Sequence, residues 1–176
     1  MKKILKVVGV ALCLVAFTQN SNAQVKFSAG IELAMPIGDF AKTANLGYGV
    51  SGSAEKAIGE NMGVTGTLGY LIMPFNKDES GIDGNFSMMP IQAGFKYYFT
   101  DNTGGAYAKA DLGFHRTVMK IDFGGGSVTN SSTDLSYAIG GGYLINEKID
   151  LGLRYQMVAT DGSSSAYLGV RAAYQF

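Results

Sequence analysis

Read back from the C-terminus, every second residue is apolar. Phe176, Tyr174, Ala172, Val170 and Leu168 alternate with Gln175, Ala173, Arg171, Gly169 and Tyr167. A strand repeats its faces every two residues and a helix every 3.6, so this pattern specifies an extended segment with one greasy side. The same alternation recurs upstream. Val25, Phe27, Ala29, Ile31 and Leu33 oppose Lys26, Ser28, Gly30 and Glu32. Ile91, Ala93, Phe95, Tyr97 and Phe99 oppose Gln92, Gly94, Lys96 and Tyr98, and Ile149, Leu151, Leu153, Tyr155 and Met157 oppose Asp150, Gly152, Arg154 and Gln156. Softer alternation runs through 48–55, 62–72, 106–115 and 135–145, and no window carries a sustained helical stripe. The pattern predicts eight strands: 25–33, 48–55, 62–72, 89–99, 106–115, 135–145, 149–158 and 165–176.

The connections between them are 14, 6, 16, 6, 19, 3 and 6 residues long, so long and short alternate until the last. The long ones, 34–47, 73–88 and 116–134, are rich in Gly, Asn, Asp and Ser and all fall at one end of an antiparallel meander. That layout predicts an all-β chain, an eight-stranded antiparallel up-and-down transmembrane β-barrel with short turns at one end and long loops at the other. Ten residues at ~3.4 Å each, tilted by ~45°, span roughly 25 Å, the height of a lipid-facing band.

Parity decides which face meets lipid. The predicted strands hold nine charged residues, Lys26, Glu32, Glu55, Lys96, Lys109, Asp111, Asp150, Arg154 and Arg171, and all nine share the polar face. Twelve of the 15 strand aromatics take the other face, with Tyr98, Tyr107 and Tyr167 as exceptions, and ten of 13 strand glycines join the charges. Lys56 and Arg116, just past strand ends, have the opposite parity. A soluble barrel or sandwich would bury the apolar face and wet the charged one. Here the other face is uncharged in every strand, a serious solubility defect in water. Placed on lipid, each Lys or Arg would cost roughly 2–4 kcal/mol near the midplane, so the bilayer fixes the register. The nine charges then form an interior, structural network. Side chains fill the lumen of an eight-stranded barrel, so the network reads as a polar plug rather than a pore.

The N-terminus sets the compartment. Met1–Lys6 carries three lysines, Val7–Phe17 is an apolar run of 11 residues, and the polar TQNSNA stretch places small Ser21 and Ala23 before Gln24. This predicts a bacterial signal peptide over 1–23 and a barrel domain over 24–176. The run is too short to span a bilayer, and no later stretch is apolar for 18 residues. Without the leader the 14 basic groups fall to 11 against 14 acidic ones, which argues against a nucleic-acid partner. The single cysteine, Cys13, lies in the leader, so neither a disulfide framework nor a thiolate zinc site is available.

The ending LGVRAAYQF, apolar at every second position back from a terminal Phe, resembles the signal that the barrel-assembly machinery reads, carried here by Leu168, Val170, Tyr174 and Phe176. With Pro36-Ile-Gly-Asp-Phe40 and Gly94-Phe-Lys-Tyr-Tyr-Phe99, residues 24–176 resemble the outer-membrane β-barrel domain family, close in size to the small OmpA/OmpX-type barrels and similar to porin-family proteins of Bacteroidota. The resemblance implies a bacterial outer-membrane location with periplasmic termini and extracellular long loops. It implies outer-membrane lipid and lipopolysaccharide as surroundings, and the assembly machinery as a partner during insertion. No cofactor is implied. The expected role is non-enzymatic, structural or surface-interacting; a narrow porin-like channel and a lipid-modifying outer-membrane enzyme are the alternatives.

Local motifs add little chemistry. His115 is the only histidine; it has inward parity near the predicted outer end of its strand, with Asp111 two positions along the same face and able to pair with it. A hydrolytic site would need a nucleophile and an orienting carboxylate converging on that ring, and no local signature supplies them. In the acidic stretch Asn76–Asp83, positions 78, 80 and 82 read Asp, Ser and Ile, which breaks EF-hand spacing. Gly124-Gly-Gly126 lacks the Lys-Ser/Thr of a phosphate loop. The sequence predicts no catalytic, cofactor or metal residues.

Overall fold

A computed structural model describes residues 25–76, 83–100, 103–123, 126–160 and 163–176. The expected leader lies outside the described residues, as do most of the acidic stretch 76–83 and the Gly124-Gly125 tip. Eight strands follow in order: β1 (Val25–Ile37), β2 (Gly47–Ala57), β3 (Met62–Pro74), β4 (Asp83–Tyr98), β5 (Gly105–Phe123), β6 (Gly126–Ile145), β7 (Ile149–Thr160) and β8 (Ser163–Gln175). One helical turn, α1 (Phe40–Thr43), joins β1 to β2. Each strand pairs antiparallel with its sequence neighbours, and β1 closes on β8 from Ser28↔Gln175 to Ile37↔Ala166. Closure pairs the first strand with the last and removes the edges an open sheet would leave.

The parity read from sequence is the parity of the barrel wall. Ile31, Leu33, Val50, Leu68, Ile91, Leu112, Ile139, Leu153 and Val170 are exposed on the outside. Toward the terminal end the outer wall carries Phe27, Tyr97, Phe99, Tyr143, Tyr174 and Phe176; toward the other end it carries Tyr48, Tyr70, Phe114 and Tyr137. Aromatic girdles of this kind flank the apolar band of a membrane barrel.

Two sequence expectations need correction. First, 34–47, 73–88 and 116–134 are not mainly loop. β1 continues to Ile37, β4 starts at Asp83, β5 reaches Phe123 and β6 begins at Gly126. A ladder needs only backbone groups and residues that tolerate a pleat, whereas apolar alternation is required only where a face meets lipid. Ser, Thr and Asn therefore carry the strands onward after the hydrophobic pattern stops. Second, the inward face is not uniformly polar. At the end remote from the termini, Ala34, Ala44, Leu71, Met73, Met88, Val158 and Tyr167 form a buried apolar cluster, with Phe40 and Phe86 packed against it. The α1 segment closes this mouth: Ala44 bridges to Phe75, the Phe40 and Phe86 rings lie 5.5 Å apart, and Phe75 and Phe86 lie 4.7 Å apart. Burying each such Leu, Met or Phe contributes about 1.5–3 kcal/mol, so the mouth is sealed by hydrophobic packing.

Candidate functional site

Inward parity on six of the eight strands converges charge at mid-lumen. Lys96, Lys109, Arg154 and Arg171 face Glu32, Glu55, Asp111 and Asp150, four cations against four carboxylates. Lys96 Nζ sits 3.2 Å from Glu55 Oε2 and 3.3 Å from Asp150 Oδ2. Arg154 donates to Glu32 Oε2 at 2.8 Å. Arg171 lies 3.5 Å from Asp150 Oδ2 and 3.9 Å from Glu32 Oε1, and donates to Ser51 Oγ at 2.9 Å and Ser28 Oγ at 3.0 Å. Lys109 pairs with Asp111 at 3.0 Å and donates to Thr67 Oγ1 at 3.3 Å. Lys26 stands nearer the terminal rim, in register with Glu55. The structure thus joins Glu55, Lys96, Asp150, Arg171, Glu32 and Arg154 in one chain of ion pairs, with the Lys109–Asp111 pair beside it along the same cavity.

The glycines make room for it. In register, Gly94 stands opposite Asp111 and Gly140 opposite both Lys109 and Arg154. A Cβ on Gly94 would collide with the Asp111 carboxylate and come within 2.7 Å of Thr65 Oγ1 and 2.9 Å of the Ala110 carbonyl. Long charged side chains cross the lumen because the positions facing them carry none.

The three aromatic exceptions to outward parity belong to this site. Tyr98 donates to Glu55 Oε1 at 2.8 Å and Tyr107 to Asp150 Oδ1 at 2.5 Å. Lys96 Nζ lies 3.9 Å from the Tyr107 ring centroid and 4.9 Å from that of Tyr98, within cation–π range. With Leu144 these two tyrosines form a second buried cluster beneath the charges. The third, Tyr167, shares a 3.0 Å hydrogen bond with His115 Nε2. Parity alone turns these three tyrosines inward without giving them a purpose. The signal was present: a tyrosine on a charged inner face needs a partner for its hydroxyl, and carboxylates lay nearby.

His115 is fully buried, at mid-strand rather than at a strand end, because β5 runs eight residues beyond it. Asp111 turns to Lys109 and not to His115, and His115 Nδ1 accepts or donates no hydrogen bond, so the pairing that an acid–base site would need is not made. Beside it, Gln92 donates to Ser136 Oγ at 3.2 Å and Gln156 to the Tyr137 carbonyl at 3.0 Å. Among the charges a cavity of about 50 Å³ remains, lined in part by Glu55, Lys96, Asp111, Asp150, Arg154 and Arg171. At about 10–15 Å³ of such volume per water, it has room for a few water molecules. Leu168, Val170, Tyr174 and Phe176 lie on the outer wall, the Tyr174 and Phe176 rings 5.4 Å apart.

A closed barrel with an apolar outer band, whose outward charges Lys56 and Arg116 lie toward its two ends, and with a filled, charged interior has a lipid bilayer as its solvent, which makes this an integral β-barrel membrane protein. The chain matches the outer membrane protein beta-barrel domain over residues 7–176, and it belongs to that family, whose place is the bacterial outer membrane. No curated protein matches it. Among solved structures it is similar to Ail, the attachment invasion locus protein of Yersinia pestis, in complex with the heparin analogue sucrose octasulfate, at 20% identity and a TM-score of 0.67, covering 89% of this chain and 100% of that one. The N-terminal β-barrel domain of Pseudomonas aeruginosa OprF (12% identity, TM-score 0.58, 88% and 100% covered) and Neisserial surface protein A (17%, 0.57, 88% and 98%) are similar too. At these identities the likeness is one of fold.

Proposed function

We propose that the barrel is a non-conducting, non-enzymatic wall element of the outer membrane, whose role is structural or exercised through its exposed hairpins. The observation that carries this reading is the stacking of three closures along one lumen. The apolar mouth around Leu71, Met73 and Met88 lies above the paired charges, and Tyr98, Tyr107 and Leu144 lie below them. An ion would have to leave its hydration shell in the mouth before it reached any charge. The short turns and termini face the periplasm and the extended β5–β6 hairpin faces outward, as export from the inside and short periplasmic turns favour. Outer-membrane lipid and lipopolysaccharide surround the wall, and Leu168, Val170, Tyr174 and Phe176 serve as the segment read by the assembly machinery. Planar-bilayer recording on the purified mature protein tests the closure. The expected result is no reproducible single-channel current, with conductance emerging in a Leu71→Gly/Met73→Gly variant; a large wild-type current would refute it. Unchanged lipid A in a deletion strain and in a His115→Ala strain is the outcome expected for a barrel without enzymatic activity.

A further inference from the structure

Above the barrel rim the wall is incomplete. β6 pairs with β5 along its whole length, down from Phe123↔Gly126, but its pairing with β7 begins only at Leu135↔Ala159. Residues 126–134, GSVTNSSTD, therefore have a strand on one side and no described strand on the other. Alternate residues of such a strand direct their N–H and C=O groups to the open side. The Ser131 amide donates to its neighbour's side chain, Asn130 Oδ1, at 2.9 Å, which assigns the odd-numbered backbone groups of Ser127, Thr129, Ser131 and Thr133 to that side.

Proteins usually blunt a free edge with lysine, proline, a bulge or a covering element. This one carries no Lys and no Pro, and pairs with β5 residue for residue without a bulge. Residues 126–133 are exposed throughout. The one charge, Asp134, accepts a hydrogen bond from Ser132 Oγ at 2.6 Å. What such an edge recognises is fixed by hydrogen-bond geometry: another extended backbone.

We propose that this edge pairs with the same edge of a second copy carried by an apposed membrane, a reading that rests on the chain being an outer-membrane barrel with this hairpin outside. Two identical edges can join only antiparallel, about a two-fold axis normal to the sheet. Centred on Asn130, that axis sets Thr129 against Ser131 and Ser127 against Thr133, pairs that exchange about eight backbone hydrogen bonds in all once each Ser131 amide leaves Asn130 Oδ1 for the partner strand. Val128 meets Ser132, and Asp134 meets Gly126, so no like charges oppose one another. The segment is complementary to itself.

The direction follows from topology. β6 runs from the outer tip toward the barrel body, so an antiparallel copy has its body at the opposite end. Two barrels in one membrane stand the same way up and cannot satisfy that geometry through this edge, whereas barrels in facing membranes can. The apolar outer wall begins at Leu135, five residues below Asn130 in each copy. The two Leu135 positions are then about 34 Å apart along the strands, roughly 25 Å across the gap at a ~45° tilt. Two headgroup layers of about 5–8 Å each fit within it.

The mature protein reconstituted in phosphatidylcholine vesicles provides the test. Wild-type vesicles are expected to cluster by light scattering, with at least a tenfold loss in Thr129→Pro. Thr129 turns its N–H to the open side, so proline there blocks the partner strand while leaving the β5 ladder intact; Thr129→Lys is the second variant should proline impair folding. The mature chain has no cysteine of its own, so Asn130→Cys proteins in two differently labelled vesicle populations should form mixed-label disulfide dimers on oxidation. Dispersed wild-type vesicles, equal clustering by both Thr129 variants, or cross-linking confined to single vesicles would overturn the proposal. Dispersed vesicles that still bind a synthetic SVTNSST peptide would also overturn it, showing an edge that accepts a strand but does not join two membranes. Heat-shifted gel mobility of the same samples separates the two readings: a shifted, inserted barrel that does not cluster refutes only the pairing, while a barrel that neither inserts nor shifts refutes the membrane reading beneath it.

Discussion

Lys96→Met should be among the most damaging single changes in the barrel. Its ammonium is held 3.2 Å from Glu55 and 3.3 Å from Asp150, so those two carboxylate oxygens lie no more than about 6.5 Å apart. Methionine fills nearly the same space but leaves them facing each other, and at an effective dielectric of about 20 that repulsion costs about 2.5 kcal/mol or more. Tyr98 still bonds Glu55, and Arg171 still reaches Asp150, so part of the compensation survives. Stranding one member of a buried ion pair costs about 3–5 kcal/mol, and the expected loss lies toward the lower end of that range. Lys96→Met/Glu55→Gln restores neutrality and should recover at least half of it. Reversible urea unfolding in phospholipid vesicles, followed by heat-shifted gel mobility, measures both. A single-variant loss below about 1 kcal/mol, or a double variant no better than the single, would refute the claim that the lumen is held by charge balance.

Four further outcomes are expected. Gly94→Val should abolish or sharply weaken the folded band, because its side chain must occupy the space of Asp111 and Thr65, whereas Gly66→Ala, with nothing within 4 Å of its new carbon, should leave it unchanged. Phe176→Ser should slow insertion by the assembly machinery while leaving unaided refolding in detergent close to wild type, since the ring contacts Tyr174 on the outer wall and nothing in the lumen. On the exposed α1 turn, the Lys42 hydrogen bond and charge hold the Asp39 carboxyl below its ordinary value of 3.8. That contact is fully present above the ordinary value and is lost as pH falls through the lowered one, so Lys42→Ala should move the carboxyl's NMR titration upward and leave it there. Tyr167→Phe should lower stability by about 1–3 kcal/mol in the same unfolding assay, the cost of leaving buried His115 Nε2 without its partner.

The wall was legible because one physical rule acts on it everywhere: lipid accepts no charge, and a pleated strand can hide charge only by alternation. That rule alone set the strand number, the parity of Lys96, Asp111 and Arg154, and the spacing of the glycines opposite them. It says nothing beyond the bilayer, which is why the extensions of β5 and β6 past Arg116 and before Leu135 read as loop. Ser, Thr and Asn satisfy a ladder as well as they satisfy a turn, and only pairing in three dimensions distinguishes the two. The lumen was half legible for a related reason. Parity assigns a residue to the inside but does not say which inside residues meet. Leu71, Met73 and Val158 have the same parity as the charges and differ only in height.

Height along the lumen is therefore where the functional argument is decided. A charged interior open to water at both ends would be a conduit; in the proposed closed barrel the same eight charges, held between two packed layers, are a fastening. Arg154, on β7, reaches Glu32 on β1, and Lys96, on β4, bridges β2 to β7, so each pair ties strands that are not neighbours in the wall. Such cross-lumen ties resist flattening of a narrow barrel, which the hydrogen-bonded wall alone does poorly because every ladder bond runs around its circumference. The mouth cluster above and the tyrosine layer below leave room among those ties for no more than a few water molecules. If the interior serves, as proposed, to hold the barrel round, its remaining chemistry lies on the outside, and among the described residues the open edge of β6 is a stretch of backbone left uncommitted there.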